Sequence, residues 1–247
     1  MRAIILAGGY AKRLWPLTKD RPKPLLPIGD HFIIDYIVSK VLKVENIHEI
    51  IISTNKKFEA NFQEWIKARG LENVRVSIEP SATEEEKLGP TKALELILRD
   101  SPEDDYLIAA GDNLFSLDLG EMIAFFRRVK KPVIALFEIE NSELAKKYAC
   151  VEVGKNRRIV GFEEKPERPK SLLVSTGIYA LPWRSVSKIS DYLREGNPPD
   201  PVGKFIGWLS EKEGAYGYKF GGFWYDIGSL ESYQAAKEDF EKMQIRP

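Results

Sequence analysis

Cysteine is almost absent: Cys150 is the only one in 247 residues. No disulfide can form within the chain, and a cysteine-rich metal centre is excluded. Only two histidines are present, His31 and His48, which argues against histidine-held zinc. Any metal would be held by carboxylates, and carboxylate oxygen favours Mg²⁺ or Mn²⁺. An excess of charge is missing too. Lys and Arg total 37, as do Asp and Glu, so there is no bulk field to hold nucleic acid or an anionic membrane. No apolar run approaches the roughly 18 residues of a membrane span. The apolar start is too short for a signal peptide and ends in glycine, so the chain reads as cytoplasmic. Neither nucleic acid nor membrane is expected as a partner, whereas a homo-oligomer stays open.

What is there starts at the first residue. Met1–Asp30 reads MRAIILAGGYAKRLWPLTKDRPKPLLPIGD. The apolar run Ala3-Ile4-Ile5-Leu6-Ala7 suits a strand buried on both faces. It breaks at Gly8-Gly9 and gives way to Lys12, Arg13, Lys19, Arg21 and Lys23, punctuated by Pro16, Pro22, Pro24 and Pro27. With a net charge of zero, such a cluster is local and therefore informative. A buried strand that runs through glycines into fixed positive charge is one way an α/β protein meets phosphate.

Strand-like and helix-like runs then alternate. Helical spacing covers 32–44, 57–69, 91–99 and 119–129; buried or alternating strands cover 48–54, 74–78, 105–110 and 132–138. This rhythm predicts an α/β fold with a doubly wound, mostly parallel, Rossmann-like sheet. Beyond 140 the rhythm changes. A hairpin is predicted over 149–153 and 158–163, with strands over 172–181 and 216–226. Helices are predicted over 183–194, 202–211 and 230–243. No linker composition separates the halves, so 1–247 reads as a single domain with halves 1–140 and 141–247. The later half adds an antiparallel subregion.

Several constellations carry chemistry, and each also has a plain structural reading. Gly8-Gly9 followed by Arg13 is neither the Walker phosphate loop nor the dinucleotide fingerprint. It is either a tight turn or a loop whose N–H groups face a phosphate or base, with Arg13 and Lys23 supplying charge. Asp112, just past a buried strand, and Asp226, in WYDIGS, are turn carboxylates or a pair that holds Mg²⁺ with phosphate oxygens. Glu164 and Lys165 are surface charges, or an acceptor for ligand hydroxyls beside a second phosphate partner. The Trp224 ring belongs to the core or stacks on a sugar. The acidic stretch Ala82–Lys87 is a solvated loop or a lid over a nucleotide.

The order of these pieces is more specific than any one of them. LAGGYAKRLWPLTKDRPKPLLPIGD resembles the opening signature of the sugar-1-phosphate nucleotidyltransferases, a family that includes glucose-1-phosphate thymidylyltransferase. The resemblance continues through Leu88–Thr91, Gly111–Asn113, Tyr148–Glu152, Phe162–Pro166, Ser175–Leu181 and Trp224–Tyr233. It implies Mg²⁺-assisted transfer of a nucleotidyl group from an NTP to a sugar 1-phosphate, releasing pyrophosphate. By match to the motifs, Leu6, Ala7, Gly8 and Gly9 would line the nucleotide, with Glu79 and Gly89 where the family reads the base. Arg13 and Lys23 would be catalytic, and Asp112 and Asp226 would bind the metal. Glu164, Lys165, Thr176 and Trp224 would bind the sugar phosphate. The resemblance makes 1–140 the nucleotide side and 141–247 the sugar side.

Four positions depart from the family pattern. Ala11 replaces a signature glycine, Lys12 a threonine, and Ala149 a glycine near the sugar. Glu79 replaces the glutamine of thymidylyltransferases; a carboxylate only accepts, which suits the N–H edge of guanine. Two other classes share parts of this pattern: a non-catalytic nucleotide or sugar-phosphate sensor, and a metal-dependent glycosyltransferase. The latter usually carries an Asp-x-Asp motif, where this chain has Gly111-Asp112-Asn113.

Overall fold

The computed structural model describes residues 1–243 and 245–247. Strand β1 (Arg2–Leu6) opens the chain; short strands β2 (Pro27–Ile28) and β3 (His31–Phe32) lead into α1 (Ile33–Leu42). Next come β4 (Glu49–Asn55), α2 (Glu59–Arg69), β5 (Val74–Glu79), α3 (Pro90–Arg99), β6 (Tyr106–Ala110) and β7 (Asn113–Phe115). They are followed by α4 (Leu119–Val129), β8 (Val133–Glu138), α5 (Ser142–Ala145), β9 (Ala149–Val153) and β10 (Ile159–Glu164). The remainder is β11 (Leu173–Leu181), α6 (Trp183–Val186), α7 (Ile189–Arg194), α8 (Val202–Glu213), β12 (Tyr216–Lys219), β13 (Trp224–Asp226) and α9 (Leu230–Met243).

Two compact units result. The first holds Met1–Lys87, Ala109–Leu119 and Phe223–Pro247; the second holds Leu88–Ile108 and Gly120–Gly222. The change of rhythm near residue 140 does not coincide with a unit boundary.

In the first unit β1, β4 and β5 are parallel neighbours, with Ile4 opposite Ile51 and Ile52 opposite Val76. Ala3, Ile4, Ile5 and Ile50–Ile52 are almost wholly buried. Unbroken apolar runs in β1 and β4 are what a parallel strand covered on both faces requires. Helix α2 ends on Gly70 in the left-handed conformation (φ 62°), a common helix stop that glycine adopts without a Cβ penalty. Asp35 ties α1 to α2: its buried carboxylate accepts from Trp65 Nε1 (2.9 Å), Arg69 Nη2 (2.6 Å) and the Phe32 N–H (2.8 Å).

The second unit holds the antiparallel part. There β9 pairs with β10, and β11 pairs with both β8 and β9. Strand β12 joins β8 in parallel. The α/β class with parallel strands and an added antiparallel region is as the sequence predicts.

Two predicted elements are divided. The stretch 216–226 is two strands, β12 and β13, because Gly221-Gly222 interrupts it and Gly222 takes φ +90°. The helix expected over 183–194 stops after Val186 and restarts at Ile189. Glu213 of α8 pins this break, accepting from Ser185 Oγ (2.5 Å) and pairing with Lys188. Strands β2, β3 and β7 have two or three residues, too few for a period-two pattern to show.

Candidate active site

In the first unit the carboxyl end of β1 runs into the glycine loop. Asn55, at the end of β4, donates from Nδ2 to the Gly8 carbonyl (2.9 Å), and the Ala7 N–H donates to Ser53 O (2.8 Å). Neither Gly8 nor Gly9 needs to be glycine for the chain's own sake. Neither has a left-handed φ, a Cβ on Gly9 would meet nothing within 4 Å, and one on Gly8 nothing nearer than 3.9 Å. The group it would approach is the Glu79 carboxylate. Glu79 is buried and accepts a short hydrogen bond from Ser81 Oγ. Tyr10 reaches the Ser81 carbonyl (3.3 Å); burial, and then the neighbouring charge of Glu79, raise the pKa of its hydroxyl.

Ala11 does need explanation. It sits at φ 49°, ψ 43°, a conformation that costs an alanine roughly 1–2 kcal/mol. Its carbonyl is held from two sides, by Thr18 Oγ1 (2.8 Å) and the Leu14 N–H (2.9 Å). The bend presents Lys12 and Arg13. Lys12 pairs with Glu84 (2.8 Å) and Glu85 (3.2 Å) of the acidic stretch, and these hydrogen bonds raise its pKa. Arg13 is exposed and has no ion-pair partner among the described residues.

Lys23 follows in a short 3₁₀ turn, preceded by Pro22 and continued by Pro24. Its ammonium forms a short ion pair with Asp112, both side chains being largely shielded from solvent. Asp112 lies beyond β6, where Gly111 is pressed against β1: a Cβ there would stand 2.8 Å from the Leu6 carbonyl. Strand β13 brings the second carboxylate. Asp226 is paired across the ladder with Asn113, and the Ile227 N–H donates to the Asp112 carbonyl (3.0 Å). Main-chain pairing therefore fixes Asp112 and Asp226 as neighbours. Among the described residues no cluster of three or more His, Cys, Asp or Glu side chains could hold a metal. Two carboxylates offering only oxygen fit a Mg²⁺ whose remaining positions go to phosphate and water. Trp224 belongs to this unit as well, its Nε1 donating to Asn113 Oδ1 (2.9 Å).

The second unit holds Gly89, Glu164, Lys165 and Thr176. Gly89 has φ +85° and would, with a Cβ, stand 2.8 Å from the Pro199 carbonyl, so glycine is needed there twice over. Glu164 ends β10 directly opposite Ala149, which puts that methyl and the carboxylate on one face. Burial raises the Glu164 pKa, against the neighbouring charges of Lys165 and Lys204. Lys165 is exposed at φ 48°, a strained placement for a long side chain, with its N–H donating to Tyr148 O (3.1 Å). Thr176 is buried and donates from its hydroxyl to Ala135 O (3.1 Å).

Thus Leu6, Ala7, Gly8, Gly9, Arg13, Lys23, Glu79, Asp112, Trp224 and Asp226 lie in one unit, and the other four predicted residues in the other. Sequence reasoning missed Asn55 and Asn113 as residues that hold the glycine loop and Trp224. Both show only as polar residues at strand ends.

A nucleotidyl transferase family model matches residues 2–243. The chain belongs to this family, among the sugar-1-phosphate nucleotidyltransferases, which are enzymes. It is 31% identical over 229 residues to the bifunctional protein GlmU of Methanocaldococcus jannaschii, covering 92% of this chain and 51% of that protein. It is 28% identical over 277 residues to a glucose-1-phosphate adenylyltransferase of Geobacter metallireducens, covering 99% of this chain and 66% of that protein. The chain thus spans from half to just under two thirds of these relatives' lengths. A Bacillus anthracis structure assigned as a glucose-1-phosphate thymidylyltransferase, in complex with a sucrose, matches with TM-score 0.86 and 26% identity over 100% of this chain and 98% of that one. A UDP-glucose pyrophosphorylase complexed with UDP-glucose shares the fold, with TM-score 0.81 and 20% identity over 98% of each chain. Among the described residues no helix is long and apolar enough to cross a membrane.

Proposed function

We propose that this chain, acting as one nucleotidyltransferase domain, transfers a nucleotidyl group from an NTP to a sugar 1-phosphate as a glucose-1-phosphate thymidylyltransferase-type enzyme. The observation that carries this is the placement of Lys23, Asp112 and Asp226 around the β7–β13 ladder, in the unit that carries the unhindered Gly8-Gly9 backbone. A phosphate oxygen of the sugar 1-phosphate attacks the α-phosphorus of the NTP in line. The bond from that phosphorus to the bridging oxygen breaks, and pyrophosphate leaves with the electron pair. The attacking oxygen is already anionic, so no protein nucleophile is required. The residues position the reactants and neutralise charge. Arg13 and Lys23 meet the triphosphate, while Glu164, Lys165, Thr176 and Trp224 serve the sugar phosphate. Asp112 and Asp226 would hold Mg²⁺ or Mn²⁺, which supplies charge neutralisation at phosphate oxygens when bound.

Glu79 favours a second choice of base. Its buried carboxylate beneath Gly8 only accepts hydrogen bonds, which suits guanine better than thymine or uracil and supports a mannose-1-phosphate guanylyltransferase. One experiment tests both readings: pyrophosphate release from dTTP, UTP, GTP and ATP with glucose 1-phosphate or mannose 1-phosphate and Mg²⁺. Release with dTTP supports the first reading and release with GTP the second. NTP binding without release on either sugar phosphate overturns the transferase reading in favour of a sensor.

A further inference from the structure

Glu164 and Gly203 lie far apart in the chain and stand against each other in the second unit. Strand β10 alternates its side chains, so Phe162 and Glu164 share a face. Helix α8 sets Gly203 and Gly207 one turn apart on one stripe. A Cβ on Gly207 would stand 2.9 Å from the Phe162 ring, and one on Gly203 would overlap a carboxylate oxygen of Glu164. Backbone conformation does not demand glycine at either position, since neither takes a left-handed φ. Glycine in a helix is a weak choice, so the two positions answer to what lies over them.

What lies over Gly203 is an unusual carboxylate. Glu164 is partly buried, and among the described residues its side chain has no hydrogen-bond partner. A carboxylate partly withdrawn from water, with no protein donor on it and its oxygens still open to solvent, is disfavoured as a charge and free to accept from a ligand. Its position is set on one side by the β9–β10 ladder, with Ala149 opposite, and on the other by the empty side-chain position of Gly203.

We propose that Gly203 is a positioning residue for the sugar site. Its missing side chain gives the Glu164 carboxylate the place from which it accepts a hydroxyl of the sugar 1-phosphate. This rests on the sugar-side reading of Glu164 proposed above. A methyl at 203 drives the carboxylate off that place while leaving its charge intact.

The test uses steady-state kinetics with whichever of glucose 1-phosphate or mannose 1-phosphate turns over. G203A should raise the sugar-phosphate KM about tenfold or more, the scale of a lost charged hydrogen bond, with the NTP KM unchanged. G207A, one turn along against Phe162, should lower Tm without moving the sugar-phosphate KM. E164D withdraws the carboxylate from the overlap, so the G203A/E164D double variant should lose much less than the product of the single losses. Multiplicative losses, or a G203A that moves both KM values equally, overturn the proposal. If G203A fails to fold, recovery of folding in G203A/E164D supports the overlap, and failure to recover overturns it. E164Q separates the two claims. An unchanged sugar-phosphate KM in E164Q refutes the sugar-side reading itself. A raised KM in E164Q with a normal G203A refutes only the role of Gly203.

Discussion

Lys23 and Asp112 meet as a largely shielded ion pair, one from a proline-flanked turn and the other from the end of β6. Each holds the other in place, and on the proposed function a triphosphate and its metal would need charge of both signs there. Asp112→Asn keeps the shape and removes the charge. Turnover in the pyrophosphate assay should fall by about two orders of magnitude or more, as the loss of metal-based stabilisation implies. The apparent Mg²⁺ requirement should rise. Near-normal turnover with an unchanged Mg²⁺ titration would remove Asp112 from the metal assignment.

The glycine loop offers two substitutions of opposite sense. Ala11→Gly replaces a strained left-handed alanine with the residue that tolerates the bend. Part of the relief is cancelled by the freer unfolded chain, leaving a gain of up to about 1 kcal/mol in urea unfolding. Gly9→Ala adds a methyl that meets nothing in the protein, so stability should stay within about 0.5 kcal/mol while the KM for NTP rises. A destabilised Ala11→Gly, or an unaffected NTP KM in Gly9→Ala, would contradict this reading of the loop.

Glu164 should show itself in the pH dependence of stability. Burial raises its folded-state pKa above the unfolded value, so the folded chain binds the proton more tightly. The resulting stability is fully present below the ordinary carboxylate range and is lost as pH rises through the raised value. Glu164→Gln removes this dependence. It should unfold at a higher Tm than the parent at pH 8, with the difference shrinking toward pH 4, while sugar-phosphate affinity falls. An equal Tm difference at both pH values would refute the buried-acid account.

Asp35 is the contrasting case, a buried carboxylate with every sign of a structural role. Trp65, Arg69 and the Phe32 N–H all donate to it. Asp35→Ala leaves these donors without an acceptor and should cost about 3 kcal/mol in denaturant unfolding. Turnover per folded molecule should be preserved. Loss of turnover at full folding would give Asp35 a part in the chemistry.

Much of this was legible in the sequence because its signals are local. The apolar runs of β1 and β4, the cap at Gly70 and the span of α9 each follow from residues within one element. Asp112 and Asp226 could be picked out as residues just past strands, and the resemblance paired them. Their adjacency is a property of ladder register, with Asp226 opposite Asn113, and no local pattern encodes register. The breaks at Ser187–Lys188 and Gly221–Gly222 were hidden for related reasons. The first is pinned by Glu213 from another helix, and the second interrupts an aromatic run whose periodicity looks continuous. Gly203 acquires meaning only from Glu164 on a different strand.

The pairing of the loop cations has a kinetic consequence. Lys12 is engaged by Glu84 and Glu85, and Lys23 by Asp112, while Arg13 has no such engagement among the described residues. On the proposed function, an incoming polyphosphate would meet the Arg13 guanidinium unengaged, whereas the Lys12 and Lys23 ammonium groups would have to change partners. Arrival and settling would then be separate events. The first is steered through solvent and screened by salt over a Debye length of about 8–10 Å, and the second is a local exchange of one anion for another.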